Sequence, residues 1–436
     1  MSASESVRAG IVVTGTEVLT GKTSDRNGPW VSERLGELNV EVAHIAIVGD
    51  RPEDLLGALR FFADAGLDLI VTTGGLGPTA DDLTAEIVGE FAGRELQLDE
   101  DMEAKITKII EAFARRMKFD PKGVEMGTRK QAMVPVGATP LDPVGTAPGL
   151  VVPADGTVVV VLPGPPRELQ GMWPAAVAVP EVAELIARAP EMETASMKMF
   201  GVPESTLAKS LVEIERDDGV PLGDLEVTTC LRRGAELEID VSYPATAQAA
   251  LDGLFAGLHA RHDEYIYTDT GETIDEIVAG LLAGRKLATA ESCTAGLLAA
   301  RLTDRPGSSA YFTGGVVSYS NEAKSELLDV PPKLIEAHGA VSVEVAEAMA
   351  DGALARFGAD VAVGVTGVAG PDGGTEDKPV GYVCICVKES EAAGGRVLIR
   401  DPKLPGGRGD VRDRSVSVSL HMLRRLLRGE IGDGPL

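Results

Sequence analysis

Two residues in the last third of the chain have the types and sequence surroundings that nucleophilic chemistry requires. Ser292 and Lys324 each follow a strand-like apolar run, in the segments ATAESCTAG and GGVVSYSNEAK. A serine hydroxyl becomes a nucleophile only when a nearby base takes its proton. Lys324 is one candidate base, and His338, in the loop EAHGAVS, is the other. This pattern predicts acyl transfer at Ser292; the alternative is that the serine simply caps a following helix.

Lys324 can act as a base only if it is neutral at working pH. A lysine in water has a pKa of about 10.4, and burial lowers it by disfavouring the charged form. We therefore expect Lys324 to be at least partly buried, with its amine within hydrogen-bonding distance of Ser292 or Tyr319. The alternative is a surface lysine, in which case Tyr319 or His338 would serve as the base.

Cys293 is a rival nucleophile, because a thiol is intrinsically more reactive than a hydroxyl. Side chains of consecutive residues in an extended chain usually point in opposite directions. We favour Ser292 and expect Cys293 to be a small buried residue. The four cysteines form no CxxC pair, which predicts reduced thiols and no metal site built on them.

Alternating strands and helices must position these groups. In residues 8–175, and again from about 272, strand-like runs alternate with amphipathic stretches, which predicts parallel α/β sheets. Residues 193–268 read as strand, helix, strand, strand, helix, strand, which indicates a small α+β domain. Ligands bind at the carboxyl edge of open α/β sheets, so the segments that follow strands should form the sites. The predicted domains are residues 1–175, 176–268 and 269–436.

Small and basic residues near the C-terminal site are candidates for holding substrate. Glycines at and after the end of the predicted strand 359–367 can bring backbone N–H groups close to a ligand, and arginine matches the geometry of phosphate. The alternatives are an ordinary turn and a solvated basic helix start. The candidate substrate-binding residues are Thr366, Gly367, Gly370, Gly373, Arg408 and Arg412.

The segment GGLGPTADD, residues 74–82, predicts a second site in the N-terminal half. A glycine loop that leads to a helix can cradle phosphate, and Asp81 with Asp82 could hold a divalent cation on a pyrophosphate. Glu17 could assist that metal or occupy a turn. The alternative is that one aspartate caps the helix and the other favours its dipole. The candidate nucleotide-binding residues are Gly74, Gly75, Gly77 and Thr79.

Composition limits the partners of this 436-residue chain. Its formal net charge of −26 disfavours binding to nucleic acid and to anionic membranes. No apolar run approaches the roughly 20 residues that cross a bilayer, and residues 1–10 do not resemble a secretory signal. We predict a cytoplasmic protein.

Several motifs in residues 270–428 resemble the C-terminal domain of the CinA family (competence/damage-inducible protein A). They are ATAESCTAG, GGVVSYSNEAK, EAHGAVS, VTGVAGPDGGTEDKPVG and RGDVRDRS. The resemblance implies a nicotinamide-nucleotide amidase that converts nicotinamide mononucleotide to nicotinate mononucleotide and ammonia without a cofactor. It places the nucleophile at Ser292 and completes the site with Tyr319 and Lys324. Ala295 is a departure, because the family usually has glycine there.

The N-terminal half resembles the molybdopterin-binding fold of the same family. The resemblance implies a metal-dependent ADP-ribose pyrophosphatase that uses Mg²⁺, Mn²⁺ or Co²⁺, although Ala80 replaces a frequent lysine. Residues 193–268 resemble a KH-type domain without its GxxG clamp, so a structural role or a role in forming a homodimer is expected. The resemblance as a whole implies small nucleotides as substrates. Two other functions stay open: a nucleotide or molybdopterin sensor, and an interaction protein associated with competence.

Overall fold

The structure, a computed structural model, describes residues 6–114, 121–232 and 234–432. The chain divides into two compact units, Met1–Met192 and Glu193–Leu436. Among the described residues, no helix combines the length and apolar character needed to span a membrane.

The first unit is built on a six-stranded sheet with the order β2-β1-β3-β8-β7-β6. Its first four strands in that order are parallel to one another, whereas β7 runs antiparallel to β8, and β6 runs antiparallel to β7. All residues of β3 and β8 are buried, as expected for strands covered on both faces. The strands are β1 (Arg8–Thr14), β2 (Glu41–Val48), β3 (Leu69–Thr73), β4 (Leu96–Leu98), β5 (Met133–Pro135), β6 (Thr139–Leu141), β7 (Gly149–Ala154) and β8 (Thr157–Leu162).

Helices pack on this sheet and continue to the end of the unit. Val179 and Val182, which follow residue 175, pack into the same core as the strands, and the compact unit ends at Met192. The helices are α1 (Thr16–Leu19), α2 (Asn27–Gly36), α3 (Pro52–Asp64), α4 (Thr84–Phe91), α5 (Glu100–Ala114), α6 (Pro121–Gln131), α7 (Pro166–Val177) and α8 (Pro180–Ile186).

The second unit begins with a four-stranded antiparallel sheet of order β10-β11-β9-β12. The predicted sequence of strand, helix, strand, strand, helix, strand is confirmed. Its elements are β9 (Glu193–Phe200), α9 (Glu204–Asp217), β10 (Glu226–Leu231), β11 (Glu236–Tyr243), α10 (Gln248–His262) and β12 (Ile266–Thr268).

A five-stranded sheet of order β14-β13-β15-β16-β17 forms the rest of this unit. Strand β13 lies between β14 and β15 and is parallel to both, whereas β16 runs antiparallel to β15 and β17 antiparallel to β16. The elements are α11 (Ile274–Leu281), β13 (Leu287–Glu291), α12 (Leu297–Thr303), β14 (Phe312–Val317), α13 (Asn321–Leu328), α14 (Pro332–His338), α15 (Val343–Phe357), β15 (Val361–Gly367), β16 (Val383–Glu389), β17 (Val397–Arg400) and α16 (Arg408–Arg428).

The two sheets of the second unit share apolar packing. Phe200 and Tyr267 belong to the same buried cluster as the residues of α11 and α16. The ring of His421 stacks on Phe200 with centroids 3.9 Å apart, and burial lowers the pKa of this histidine to about 4. Residues 193–268 and 269–436, predicted as separate domains, therefore pack as one compact unit.

Candidate active site

Ser292 directly follows strand β13, at the carboxyl end of that strand in the five-stranded sheet. Its N–H donates to the carbonyl of Val365 at 2.9 Å, and the residue is 8% exposed. Helix α12 begins only at Leu297, so Ser292 does not cap it. A turn of residues 292–296 separates the serine from the helix.

The backbone N–H groups between this turn and the start of α12 bond to the side chain of Glu291. The carboxylate of Glu291 accepts the N–H groups of Gly296 at 2.9 Å, Leu298 at 3.1 Å and Ala299 at 2.9 Å. The backbone donors at the start of α12 are thus occupied by protein. They are therefore not free to stabilise a developing oxyanion.

The turn is held from its carbonyl side as well. The guanidinium of Arg412 donates to the carbonyls of Cys293 at 3.1 Å and Thr294 at 3.0 Å. Ala295 and Gly296 adopt φ values of 49° and 91°, a left-handed conformation that costs a residue with a side chain about 1–2 kcal/mol. Arg412 therefore supports the backbone next to Ser292.

Lys324 lies in α13, which follows the neighbouring strand β14. The side chain of Ser320 caps this helix by accepting the N–H of Ala323 at 3.1 Å. Lys324 is 1% exposed, and its Nζ lies 3.1 Å from the Oγ of Ser292. The expected burial and proximity to Ser292 are confirmed, and burial lowers the pKa of the Lys324 amine.

Three oxygen atoms surround the amine of Lys324. Its Nζ lies 2.9 Å from the carbonyl of Ser318 and 3.4 Å from that of Tyr319. When deprotonated, the amine has two N–H groups for these carbonyls and one lone pair for the hydroxyl of Ser292. Within the described part of the chain, no carboxylate lies within 4 Å of the amine to stabilise its charged form. This arrangement can remove a proton from Ser292.

Tyr319 is close to the pair but engaged elsewhere. Its side chain is exposed, and its hydroxyl accepts a hydrogen bond from Arg408 at 2.8 Å. Lys324 contacts Ser292 directly, so proton transfer needs no relay through the phenol. The structure therefore brings Ser292 and Lys324 together and places the Tyr319 hydroxyl against Arg408.

The rival groups are less suited to the chemistry. Cys293 is buried, and burial raises the pKa of its thiol to about 12, so the reactive thiolate is scarce at neutral pH. His338 lies at the end of α14, where its Nδ1 is 3.1 Å from a carboxylate oxygen of Glu344. The structure thus supports the preference for Ser292 and Lys324.

The candidate substrate-binding residues have protein partners. The hydroxyl of Thr366 donates to the carbonyl of Ala340 at 2.8 Å. Arg408 donates to the carbonyl of Gly370 at 2.6 Å. Both predicted phosphate-binding arginines, Arg408 and Arg412, thus donate to backbone carbonyls, which the sequence did not predict. Gly367 ends β15 beside Cys293, and Gly373 lies in a left-handed turn at φ 88°.

In the first unit, the loop after β3 is organised by its own polar groups. The hydroxyl of Thr79 donates to Asp82 at 2.5 Å and also to Asp81, and the N–H of Thr79 donates to Asp82 at 2.9 Å. Lys130 donates to the Thr79 carbonyl. Helix α4 starts at Thr84 without a side-chain cap, so neither aspartate caps it.

The glycines of this loop fit close packing. Side chains at Gly74 and Gly75 would collide with Thr14 and Thr84, and one at Gly77 would collide with the Asp82 carboxylate. Gly74 and Gly75 also have positive φ values, 106° and 65°. The four predicted nucleotide-binding residues therefore have a structural explanation within the loop.

The acidic pair does not fit a resident metal ion. The described residues contain no group of three or more His, Cys, Asp or Glu side chains arranged to hold one. Both carboxylates already accept from Thr79, and that hydrogen bond lowers the pKa of the exposed Asp81. Two carboxylates suffice for Mg²⁺ only when substrate phosphates supply further ligands. Glu17 lies in the short helix α1 with its carboxylate against Gly15.

Glu291 is the site residue that sequence reasoning missed. It is 1% exposed and immediately precedes Ser292. A carboxylate shortly before a helix is a recognised signal for binding of backbone N–H groups. The sequence contains that signal at Glu291, next to the serine that draws attention first.

Comparisons with known proteins agree on one family. The family described as "CinA C-terminal domain" matches residues 272–427, and "Probable molybdopterin binding domain" matches residues 10–184. The CinA-like protein of Mycolicibacterium paratuberculosis is 57% identical over 432 residues, which cover 97% of this chain and 99% of the relative. The CinA-like protein of Mycolicibacterium gilvum is 58% identical over 425 residues, with the same two coverages.

Solved structures match a smaller part of the chain. The competence/damage inducible protein CihA of Agrobacterium tumefaciens is 40% identical, and the match covers 36% of this chain and 95% of that protein, with a TM-score of 0.34. The protein CinA of Thermoplasma acidophilum is 32% identical over 39% of this chain and 95% of its own, also with a TM-score of 0.34.

Proposed function

The chain belongs to the CinA family, and on that basis we propose that its C-terminal part is a serine amidase. The proposed substrate is nicotinamide mononucleotide, and the products are nicotinate mononucleotide and ammonia. The substrate comes from the family resemblance of residues 270–428, whereas the reaction type is supported by the site itself.

The observation that carries the proposal is the direct contact of Ser292 with Lys324. The 3.1 Å distance between Oγ and Nζ is within reach for proton transfer. Burial lowers the pKa of the Lys324 amine and thereby increases its neutral fraction. A nucleophile in contact with a group that can take its proton is the minimum requirement for acyl transfer.

In the proposed reaction, the hydroxyl of Ser292 gives its proton to Lys324 as Oγ attacks the carboxamide carbon. The C–N bond then breaks, Lys324 returns the proton to the departing nitrogen, and ammonia leaves behind an ester on Ser292. Water, deprotonated by the same lysine, attacks the ester. Nicotinate mononucleotide is released and the proton returns to Ser292.

The proposal is tested by incubating the full chain with nicotinamide mononucleotide and quantifying both products. We expect ammonia and nicotinate mononucleotide in equal amounts. Free nicotinamide, which has the amide without ribose or phosphate, is a matched substrate control and should react much more slowly, because remote binding energy is lost. The absence of both products at pH values from 7 to 10 would refute the proposal.

The alternative functions draw less support from the site. A sensor with a vestigial C-terminal part would not need a buried lysine in contact with a serine. For the first unit, a metal-dependent ADP-ribose pyrophosphatase follows from resemblance, and the satisfied pair Asp81 and Asp82 does not favour it. Incubation with ADP-ribose and Mg²⁺, Mn²⁺ or Co²⁺ tests that activity separately.

A further inference from the structure

We infer that Glu291 is a positioning residue whose buried carboxylate holds the turn that presents Ser292 to Lys324. The inference rests on the proposed serine chemistry, but it does not depend on which amide is the substrate.

The evidence begins with the hydrogen bonds of the Glu291 carboxylate. One oxygen accepts the N–H groups of Gly296 and Leu298, and the other accepts that of Ala299, at 2.9 to 3.1 Å. Bonds to an ionised acceptor are roughly twice as strong as neutral ones. Because Glu291 is only 1% exposed, water hardly competes with its carboxylate for these N–H donors. It therefore ties the end of β13 to the first turn of α12.

The turn needs such a tie, because its backbone is not the default one. Ala295, an exposed residue with φ 49°, precedes Gly296 with φ 91°. A left-handed alanine is unfavourable by about 1–2 kcal/mol, so an unrestrained turn would relax to other conformations. Since Ser292 starts this turn, relaxation would move its Oγ relative to Lys324.

Glu291 acts through the backbone. Within the described residues, the hydrogen bonds of its side chain all go to backbone N–H groups of residues 296, 298 and 299. The main chain of Glu291 also pairs the two strands, because its carbonyl accepts the N–H of Ser318 at 2.8 Å. Ser318 in turn offers its carbonyl to Lys324. The residue thus connects the supports of both members of the pair.

The matched test compares Glu291→Gln with Glu389→Gln. Glutamine keeps one acceptor oxygen but turns an NH₂ group toward a backbone N–H. Glu389 is equally buried, at 1% exposed, and binds Arg285 and Arg396. It pairs with Val361, the first residue of β15, and therefore lies at the amino ends of the parallel strands, opposite the end that carries Ser292. Its substitution therefore controls for the general cost of losing a buried carboxylate.

The readout is the rate at which a fluorophosphonate probe labels Ser292, together with kcat and KM. We expect Glu291→Gln to slow labelling and lower kcat by about 10²-fold, as for a nucleophile displaced by about 1 Å. KM and the pH midpoint should change little, because the carbonyls of Ser318 and Tyr319 stay next to Lys324. Glu389→Gln should label at the wild-type rate. Equal labelling of Glu291→Gln and wild type would overturn the inference.

Two further variants keep the test decisive if Glu291→Gln folds poorly. Glu291→Asp keeps the charge but is one methylene shorter, so its labelling rate should fall between those of Glu291→Gln and wild type. Adding Ala295→Gly to either variant should restore part of the rate, because glycine adopts the left-handed turn without a penalty. No restoration in either double variant would contradict positioning through the turn. Labelling of Ser292 without ammonia release would instead reject only the proposed substrate.

Discussion

Two sheet edges in this protein carry polar loops after parallel strands, and they differ in how their groups are satisfied. After β3, the side chains of Asp81 and Asp82 accept from Thr79 in the same loop. After β13 and β14, Lys324 is buried without a carboxylate within 4 Å among the described residues and faces the hydroxyl of Ser292. The polar groups of the first loop bond to one another, whereas the second site holds a buried amine against a hydroxyl.

The difference shows which feature separates a chemical site from a structural loop. Charged groups that are exposed and locally paired gain little from a ligand, because water and neighbours already stabilise them. Burial lowers the pKa of the Lys324 amine because the low-dielectric interior disfavours the charged form. Burying an amine without an opposite charge therefore lowers the free energy of unfolding. Perturbed groups of this kind cluster at functional sites. The comparison therefore favours catalysis at the loops after β13 and β14 over catalysis at the loop after β3.

The largest expected effect is at Ser292. Ser292→Ala removes the proposed nucleophile, and we expect kcat to fall by roughly 10⁶-fold. Cys293→Ala is the neighbouring control and should keep most of the activity, because the Cys293 thiol is buried and protonated. Ammonia release measured for both variants distinguishes them. The reverse result would move the nucleophile to Cys293.

Lys324 should have the next largest effect. Lys324→Met and Lys324→Arg should both lose about 10²–10⁴-fold in kcat, because neither side chain can accept the serine proton. In the wild type, the neutral fraction of Lys324 grows as pH rises through its lowered pKa, so the rate should rise and then level off. Lys333→Met, at an exposed lysine of α14, is the control. An active Lys324→Arg enzyme would show that the residue binds substrate and is not the base.

Asp82 tests the other side of the comparison. If the first unit cleaves ADP-ribose with a divalent metal, Asp82→Asn should suppress that cleavage and leave ammonia release from nicotinamide mononucleotide unchanged. Both products are measured on the same preparation. Cleavage that survives in Asp82→Asn would leave this aspartate with its structural hydrogen bonds to Thr79 alone.

Ala295 should give the smallest effect. Ala295→Gly removes the left-handed penalty but adds backbone freedom to the unfolded chain, so we expect a gain of about 0.5–1 kcal/mol in the free energy of unfolding. Ala300→Gly, at an exposed position in the neighbouring helix α12, should lose about 1 kcal/mol. Chemical denaturation of both variants measures the change in the free energy of unfolding and shows whether it rises or falls. A loss of stability in Ala295→Gly would contradict the assigned turn conformation.

Local patterns in the sequence were enough to predict the α/β class, the order of the elements of residues 193–268, and the strand ends where Ser292 and Lys324 lie. These features follow from hydrophobic periodicity and from the rule that parallel strands end at a common edge. Nicotinamide mononucleotide as substrate came from family resemblance. The roles of Tyr319 and of the glycines after β15 remain predictions.

What each polar group contacts could be learned only from the folded chain. Arg412 lies 119 positions after Cys293, so no local pattern could predict that it binds the carbonyls of Cys293 and Thr294. Likewise, the burial of Lys324 depends on how α13 packs against the sheet, and its amine meets Ser292 across 32 residues. Periodicity reports which face of an element is buried, whereas the partner of a side chain depends on how distant segments pack together.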